Sequence, residues 1–494
     1  MEMTIYIILI LTILISYMFL YSTWNTFYRN KNLPPGPMPL PIIGNVLHIH
    51  KGELVKSLNQ LKEKYGSIYT LYFGSRPVVI LCGYQMVKEV LVDRGEEFSD
   101  RGRLPTVDRF FKGHGVIFAN GENWKQLRRF TLTTFRNFGM GKRSIEERIQ
   151  EEVQFLIEEL RNLRQSPVNP TNILLQSMSN VACSVLFGQR FDYKDLKFLK
   201  IVQNFNEAFR LMGSTWGQLH DLMPEILDYI PGPHQNIDTI LHEQLEYVSE
   251  RVKLNQETLD PSNPRDYIDC FLIKMIQESQ NPTSQFNIKT LLLNIVQLFF
   301  AGTETVSGTL RHGLLLLLHY PEIQEKLHNE IDKVIGSNRL PSVEDRSKMP
   351  YMDAVIHEIQ RFSDVLPLNL PHTPVRDIEF HGYTIPKGTD VYPMLFWCLR
   401  DPDFFKNPEK FDPGHFLDDN GCLKAPDAFV PFSTGKRVCA GEGLARMELF
   451  LFLTTILQNF KLTSKTTFTN ADVKPKLTGF SNIPIAYELS FVPR

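Results

Sequence analysis

The residue with the clearest chemistry in this chain is Cys439, which lies in the run PFSTGKRVCAG (residues 431–441). A cysteine binds a metal as the thiolate, so its surroundings must favour negative charge. Gly435 and Gly441 allow tight turns and close approach of the backbone to a flat cofactor. A helical pattern begins just past Cys439, and a helix N-terminus presents unpaired N–H groups to an anion. The run predicts a thiolate metal ligand, whereas a lone cysteine would more simply be a buried structural thiol.

Two more motifs place charged side chains one helical turn from a partner. Trp124 and Arg128 are four residues apart in a basic helical pattern, and Glu358 and Arg361 are three residues apart in another. Each pair alone has an ordinary explanation. The first could be packing plus a solvated charge, and the second could be a surface ion pair of little energetic weight.

An acid and an alcohol, Glu304 and Thr305, lie inside a long apolar helical pattern that runs from Ile288 to Tyr320. Burying such groups without partners is costly, so their presence needs a reason. One reason is structural, because a threonine can bond back to a carbonyl of its own helix. The other is that the pair handles water and protons at a buried site.

The elements that must position these residues follow an apolar N-terminal segment. Met3–Tyr28 has no charged residue, and its first nineteen residues are almost wholly apolar. As a helix this stretch would span about 30 Å, the thickness of a bilayer core. Arg29 and Lys31 follow it, so the positive-inside rule keeps the remaining chain cytoplasmic. A cleaved signal peptide is the alternative, but no Ala-x-Ala-like site follows. We expect a membrane anchor over residues 1–28.

The pattern of the remaining residues predicts a single folded body. Residues 29–40 form a basic, proline-rich hinge, since the prolines of LPPGP favour a stiff, extended spacer. Residues 41–494 show mainly helical periodicity with short strand patterns, and the candidate residues come from positions as distant as 124 and 439. We therefore predict a single helix-rich body with small β-sheets. The stretch from Arg101 to about Asn120 lacks periodicity and predicts an irregular segment.

Composition narrows the functional class. The 494 residues carry a formal net charge of -2, which gives no global case for nucleic-acid binding. The six cysteines are scattered and lack a Cys-x-x-Cys pair, a pattern typical of neither a disulfide framework nor a zinc site. A reducing, cytosolic setting fits them best.

Read as a set, these motifs resemble those of the cytochromes P-450, the haem-thiolate monooxygenases. The spacing Phe-x-x-Gly-x-Arg-x-Cys-x-Gly of residues 432–441 resembles the haem-binding loop of that family. The resemblance extends from Pro34 over essentially the whole chain and is closest to the vertebrate microsomal family-2 enzymes. It implies the mainly α cytochrome P-450 fold, a haem b cofactor and Cys439 as the axial thiolate ligand of its iron.

The resemblance also implies roles for individual residues. Thr305, with Glu304 beside it, would manage water and protons where the helix opens at a kink. The residues implied to bind the haem are Arg101, Trp124, Arg128, His372, Phe432, Gly435, Arg437 and Gly441. The residues implied to line a largely apolar substrate pocket are Ile117, Phe118, Phe209, Met212, Phe300, Ala301, Val365, Leu366, Leu370 and Phe480. The residues implied to stabilise the core are Glu358, Arg361 and His415, the last of which replaces the arginine usual in the family.

Electrons must come from another protein, because no Gly-x-Gly-x-x-Gly motif follows a predicted strand. The resemblance implies an NADPH-dependent flavoprotein, NADPH–cytochrome P-450 reductase, with cytochrome b5 as a second candidate partner. It also implies an endoplasmic reticulum location and a lipophilic substrate such as a fatty acid, a steroid or a foreign compound. Two alternatives stay open: a haem-thiolate enzyme that isomerises or dehydrates a peroxide, and a non-catalytic membrane haem carrier or sensor. The Glu304–Thr305 pair argues against both.

Overall fold

The computed structural model describes residues 2–24, 32–49, 54–138, 143–477 and 481–494, and helices dominate this part of the chain. The helices are α1 (Glu2–Trp24), α2 (Leu54–Tyr65), α3 (Tyr84–Lys88), α4 (Pro105–Phe111), α5 (Gly115–Phe118), α6 (Gly121–Asn137), α7 (Arg143–Asn162), α8 (Thr171–Leu186), α9 (Leu196–Gly213), α10 (Thr215–Leu222), α11 (Pro224–Leu227), α12 (Asn236–Glu257), α13 (Tyr267–Gln277), α14 (Ile288–His319), α15 (Pro321–Val334), α16 (Pro350–Ser363), α17 (Leu395–Leu399), α18 (Glu442–Asn459) and α19 (Asn470–Val473).

Short strands form one larger sheet and three two-stranded pairs. The strands are β1 (Ile68–Phe73), β2 (Arg76–Cys82), β3 (Asp100–Arg101), β4 (His372–Thr373), β5 (Ile378–Phe380), β6 (Tyr383–Ile385), β7 (Asp390–Met394), β8 (Phe460–Thr463), β9 (Lys476–Leu477), β10 (Asn482–Ile483) and β11 (Ser490–Pro493). The five-stranded sheet has the order β1-β2-β7-β4-β3, in which only β2 and β7 run parallel. The remaining pairs are β5-β6, β8-β11 and β9-β10.

Strand β2 explains why this sheet is buried on both faces. Val79 and Leu81 enter one apolar cluster, whereas Val78 and Ile80 enter another on the opposite face. This follows from the two-residue period of a strand, which sends successive side chains to opposite sides. The continuous apolar run of β2 thus contributes side chains to the apolar clusters on both faces of the sheet.

Helix α14 is the centre of the helical body and packs against α5, α8, α12, α16 and α18. By length and composition it could cross a membrane, but two thirds of its most apolar stretch is buried within the protein. Its Leu314–Leu317 run is almost completely buried. It is therefore a core helix, as its mid-run charges indicate.

The prediction of an irregular segment between Arg101 and Asn120 is wrong, because the structure places α4 and α5 there. These helices have seven and four residues, too few to produce a recognisable apolar period. Helix α4 starts with Pro105, and the Asp108 carboxylate accepts a hydrogen bond from the N–H of Leu104 at 3.0 Å. Such local capping starts a helix without any amphipathic pattern.

The predicted anchor begins with helix α1, whose described apolar side chains are largely exposed, including Ile5, Ile13 and Leu20. The basic residues predicted to flank it, Arg29 and Lys31, lie outside the described residues. Their position relative to α1 therefore stays a prediction.

The proline-rich hinge is packed against the body over its described part. The carbonyl of Pro35 accepts a hydrogen bond from the N–H of Thr70 in β1 at 3.0 Å. A Cβ on Gly36 would come within 1.9 Å of the Thr70 carbonyl oxygen, so only glycine fits there. These contacts attach residues 35 and 36 to strand β1.

Glu358 and Arg361, which the resemblance implies to stabilise the core, form a buried ion pair that we call the core lock. Glu358 and Arg361 are fully buried, and two hydrogen bonds of 2.7 Å join the carboxylate to the guanidinium group. The remaining Arg361 N–H groups donate to the carbonyls of Leu399, Pro408 and Lys410. All polar groups of the pair are satisfied, which is the condition under which a buried ion pair is tolerated.

His415 is the third member of the lock. Its Nδ1 lies 3.2 Å from both Glu358 oxygens, and its Nε2 faces the Lys406 carbonyl. Burial lowers the pKa of His415, but the hydrogen bond and charge of Glu358 more than offset this, so the pKa is raised. With acceptors on both ring nitrogens, His415 can carry the positive charge of the arginine it replaces.

We expect Glu358→Ala to destabilise the fold strongly, because it leaves the Arg361 and His415 charges buried without a partner. Removing one member of a buried pair costs about 3–5 kcal/mol. Glu207→Ala is the matched control, since Glu207 and Arg210 have the same three-residue spacing on an exposed helix face. Thermal unfolding of both variants measures the difference. Equal shifts in Tm would show that the buried lock adds nothing beyond a surface pair.

Candidate active site

The Cys439 loop is held in one shape by tight packing against a distant turn. Ser433 and Gly435 have left-handed φ values of 61° and 74°. A Cβ on Gly435 would lie only 1.7 Å from the carbonyl oxygen of Leu91, in a π-helical turn that follows α3. The N–H of Cys439 donates to the Phe432 carbonyl at 3.0 Å and closes the loop.

The sulfur of Cys439 lies at the N-terminal end of α18. The Cys439 side chain is exposed. Desolvation raises the pKa of the Cys439 thiol, whereas the N–H groups of Gly441 and Glu442 and the charge of Arg128 lower it. Helix N–H groups and a cation are the partners that a thiolate needs.

Arg437, two residues before the cysteine, is buried and fixed from several sides. Its guanidinium N–H groups donate to the carbonyls of Ser99, Ile117 and Ala119. The group also stacks 3.8 Å from the centre of the Trp124 ring. This contact joins the loop to α6 and explains why the predicted tryptophan lies at the site.

Arg101 and His372 meet on neighbouring strands β3 and β4. Nη1 of Arg101 donates to Nε2 of His372 at 2.9 Å, and Nδ1 of His372 donates to the Phe98 carbonyl at 2.8 Å. Burial and the neighbouring arginines, Arg101 and Arg437, lower the pKa of His372 well below its usual value. The histidine is therefore neutral and accepts from Arg101. Arg128 also reaches the loop, since it donates to the Val438 carbonyl.

The cluster Arg101, Arg128 and Arg437 carries more positive than negative charge, with Asp100 as the one carboxylate that acts on Arg437 among the described residues. Among the described residues none of the three forms an ion pair with a carboxylate, and the buried Nε1 of Trp124 has no hydrogen-bond partner. Burial and neighbouring arginines lower the pKa of Arg437 to about 8 and that of Arg101 to about 9. Because guanidinium groups keep their proton in proteins, this cluster requires an anionic partner.

Asn120 belongs to the site but was not predicted from the sequence. Its Oδ1 accepts from the N–H of Arg101 at 2.7 Å and from Nη2 of Arg437 at 3.0 Å. Asn120 is the N-cap residue of α6 yet makes no side-chain capping bond. An asparagine directly before a helix was the available signal, but it indicates capping rather than a bond to two arginines.

Helix α14 brings Glu304 and Thr305 close in sequence but gives them different partners. Thr305 Oγ1 donates to the Ala301 carbonyl at 2.8 Å, and the helix is continuous from Ile288 to His319. The opened kink that we expected is therefore not seen, and the hydroxyl bonds back to its own helix. This back-bonding is the structural alternative weighed for Thr305.

Glu304 is buried and turns toward Arg311, two turns further along α14. One carboxylate oxygen lies 3.2 Å from Nη1 of Arg311, whereas the other oxygen is buried with no partner. Burial raises the pKa of Glu304 to about 7, although Arg311 opposes the shift. A half-satisfied carboxyl with this pKa can accept and release a proton near neutral pH.

Several predicted pocket residues are neighbours. The Phe300 ring lies 5.2 Å from that of Phe209, and Phe118 stacks on Phe111 at 5.0 Å. Met212 and Phe209 are buried at the end of α9. The partly buried predicted positions are Ile117, Phe118, Phe300, Ala301, Val365, Leu366 and Leu370. Phe480 lies outside the described residues, so its place in the pocket stays a prediction.

A surface groove of about 550 Å³ lies elsewhere, between α4, α12 and the start of α14. Its lining includes Arg109, His242 and Lys289 but none of the predicted pocket residues. The size of this groove therefore does not identify the candidate active site. That site is identified by the chemistry of the side chains around Cys439.

Comparison with known proteins agrees with this chemistry. The family model for Cytochrome P450 matches residues 34–491. The chain belongs to the cytochrome P450 family. It is 52% identical over 484 residues to Cytochrome P450 2G1 of Rattus norvegicus, with 98% of both chains covered. It is equally identical over 484 residues to Cytochrome P450 2C8 of Homo sapiens, with 98% of this chain and 99% of the relative covered.

The family establishes a haem cofactor and a monooxygenase activity for this P450. The residues present fit such a group. The buried Trp124 Nε1 and three guanidinium groups without carboxylates match the two propionates of a haem. Gly441 leaves space beside the sulfur, because a Cβ there would lie 3.9 Å from Cys439 Sγ. Family membership was predicted correctly from the set of sequence motifs.

We expect Gly435→Ala to abolish haem retention, because the added Cβ collides with the Leu91 carbonyl and strains a left-handed φ. The loop cannot then hold Cys439 in place. Gly443→Ala is the control, since nothing lies within 4 Å of its added Cβ. The measurement is haem bound per purified protein. If Gly435→Ala retains haem as well as Gly443→Ala, the packing against Leu91 does not shape the site.

Proposed function

We propose that this P450 is a membrane-anchored haem-thiolate enzyme that inserts one oxygen atom of O2 into a lipophilic substrate with electrons from NADPH. The observation that carries the proposal is the Cys439 thiol just before α18, near one buried and two half-buried guanidinium groups that form no ion pair with a carboxylate in the described part of the chain. This arrangement supplies both a thiolate ligand and a cation set for the propionates. The substrate class is a fatty acid, a steroid or a foreign compound.

In this proposal Cys439 ligates the iron, and Arg101, Arg128, Trp124 and Arg437 bind the propionates. His372 acts through Arg101, since it accepts that residue's N–H rather than pointing a free donor at the site. When bound, the haem supplies the oxygen-activating chemistry that a thiolate ligand favours. The protein supplies binding, orientation and protons.

Proton supply falls to Thr305 and Glu304. The Thr305 hydroxyl can accept a hydrogen bond from a water molecule as it stands, but to donate one it must release the Ala301 carbonyl, a hydrogen bond of modest net strength. Glu304 must turn away from Arg311. Because its second carboxylate oxygen has no partner, this movement costs less free energy than separating a fully hydrogen-bonded ion pair. A carboxyl whose pKa is about 7 can then pass protons from water at neutral pH.

Electrons come in this proposal from NADPH–cytochrome P-450 reductase, with cytochrome b5 as a second donor. Arg129 and Arg136 are exposed on α6, the helix that carries Trp124 and Arg128. A cationic face so close to the cofactor residues favours docking of an acidic redox partner. The alternative enzyme, which isomerises or dehydrates a peroxide, needs no reductase and so would need no such face.

We assign the chain to the endoplasmic reticulum membrane, with the catalytic body on the cytoplasmic side. Residues 1–28 form the anchor in membrane lipid, residues 29–40 the hinge and residues 41–494 the catalytic domain. Support comes from the exposed apolar side chains of α1 and from the microsomal character of the similar family-2 enzymes. An exposed apolar helix of 23 residues is long enough to cross a bilayer core.

The test of this function is turnover of the full-length holoenzyme in lipid. With reductase, NADPH and O2 it should oxidise lipophilic compounds that displace the water ligand of the iron. Omission of the reductase should stop product formation. If the enzyme converts a peroxide as fast without reductase as with it, the result would instead favour an isomerase or dehydratase. Tightly bound haem without any turnover would favour a carrier or sensor.

We expect Thr305→Ala to give near-normal haem content but much less product and more hydrogen peroxide per NADPH. The substitution removes the hydroxyl that holds water while keeping a good helix former. The measurement is product and peroxide formed per NADPH consumed.

Thr303→Ala is the matched control for this prediction. Thr303 also bonds back to its own helix, to the Phe299 carbonyl at 2.9 Å, but it faces Ser179 of α8. Its coupling of NADPH to product should stay close to that of the unaltered enzyme. Unchanged coupling in Thr305→Ala would remove Thr305 from proton supply.

A further inference from the structure

Arg76, the first residue of β2, joins three parts of the chain that are distant in sequence. Its Nη1 donates to Oδ2 of Asp390 in β7 at 2.7 Å. Its Nη2 donates to the main-chain carbonyl of Asp221 in α10 at 2.9 Å. The Arg76 side chain is 12% exposed and that of Asp390 only 1%, so water screens this contact weakly.

The two aspartates extend the junction to helix α4. Oδ1 of Asp221 accepts from the N–H of Thr106, in the first turn of α4, at 2.8 Å. Oδ1 of Asp390 accepts from the N–H of Arg103, just before α4, at 2.9 Å. Asp221 therefore satisfies a helix N–H that has no partner within its own short helix. We call Arg76, Asp221, Asp390 and the Thr106 N–H the latch.

The latch connects to both walls of the predicted substrate pocket. Helix α4 carries Phe111, which stacks on Phe118. Helix α10 follows α9 after one residue, Ser214, whose Oγ accepts from the N–H of Gly217 at 3.2 Å. The end of α9 carries Phe209 and Met212. A change at Arg76 can thus move both walls without any contact with substrate.

We propose that Arg76 is a positioning residue for the pocket, because it ties α10 to α4 and to the sheet through Asp221 and Asp390. The pocket role rests on the proposed function, whereas the tie between the helices does not. Loss of Arg76 should loosen α4 and α10 together. The orientation of a bound substrate should change with them, while the Cys439 loop stays intact.

The charges of the latch give it a pH dependence. Arg76 and Arg103 share the junction with three carboxyls, Asp108, Asp221 and Asp390, and with the buried Tyr392 of β7. Burial raises the pKa of Asp221 to about 7, despite the Thr106 hydrogen bond and Arg76.

The pKa of Asp221 is higher in the folded state than its ordinary value of 3.8, so protonation of this carboxyl stabilises the folded state. This stabilisation is complete only below pH 3.8. The effect is lost as pH rises through about 7, where the buried carboxyl becomes charged. The latch should therefore be tighter at about pH 6 than at about pH 8.

Hydrogen exchange of the substrate-free, full-length holoenzyme tests the latch. Protection factors correct for the intrinsic effect of pH on exchange. In Arg76→Gln, protection in α4 and α10 should fall by about tenfold or more, whereas α14 and α18 should keep theirs. The unaltered enzyme should lose protection in α4 and α10 between about pH 6 and about pH 8. Asp221→Asn keeps the acceptor for Thr106 without a charge, so its protection should change less with pH than that of the unaltered enzyme, with only the response of Asp108 and Asp390 remaining.

Arg94→Gln is the matched control, because Arg94 also bridges a carboxylate, Glu97, and a carbonyl, that of Glu379, but at another place. It should leave α4 and α10 unchanged. Product ratios from one lipophilic substrate give a second readout, in which Arg76→Gln should shift the site of oxidation and Arg76→Lys should partly restore it. Unchanged protection of α4 and α10 in Arg76→Gln, or a pH response in Asp221→Asn as large as that of the unaltered enzyme, would overturn the proposal. Failure of turnover alone would leave the exchange result standing and count only against the proposed function.

Discussion

Three neighbouring guanidinium groups, that of Arg437 buried and those of Arg101 and Arg128 half-buried, are the constraint on which the site depends, because none forms an ion pair with a carboxylate among the described residues. Arg437 is held by carbonyls and by the Trp124 ring, and Arg101 is held against a neutral His372. None of these contacts neutralises charge. The fold therefore keeps cations in place that only a bound anion can satisfy, and their geometry is fixed before that anion arrives.

Helix α14 also carries polar groups that have few hydrogen-bond partners. In α14, Glu304 has one oxygen paired with Arg311 and the other unpaired, and Thr305 is bonded only to its own helix. A fully satisfied network would be rigid and inert. The core lock of Glu358 and Arg361 differs from α14, because every polar group in this pair has a hydrogen-bond partner. The polar groups of the core pair are thus fully satisfied, whereas those of Glu304 are not.

The sequence predicted those parts whose signals are local. The Cys439 loop, the Glu358–Arg361 pair and the long periodic pattern of α14 each lie within a few turns of chain, so spacing was enough. Helices α4 and α5 were missed because they are short and because Asp221, over a hundred residues away, caps the first of them. Asn120 and the Glu304–Arg311 pairing were missed because a side chain's choice among nearby partners depends on tertiary packing rather than on spacing.

The central claim is that Cys439 binds the haem iron as a thiolate. The most direct measurement is the absorption spectrum of the reduced, full-length enzyme under carbon monoxide, compared with that of Cys439→Ser. We predict the strongly red-shifted Soret band of thiolate ligation in the unaltered enzyme and its loss in Cys439→Ser. A red-shifted band that persists in Cys439→Ser would contradict the account, because some other residue would then be the ligand.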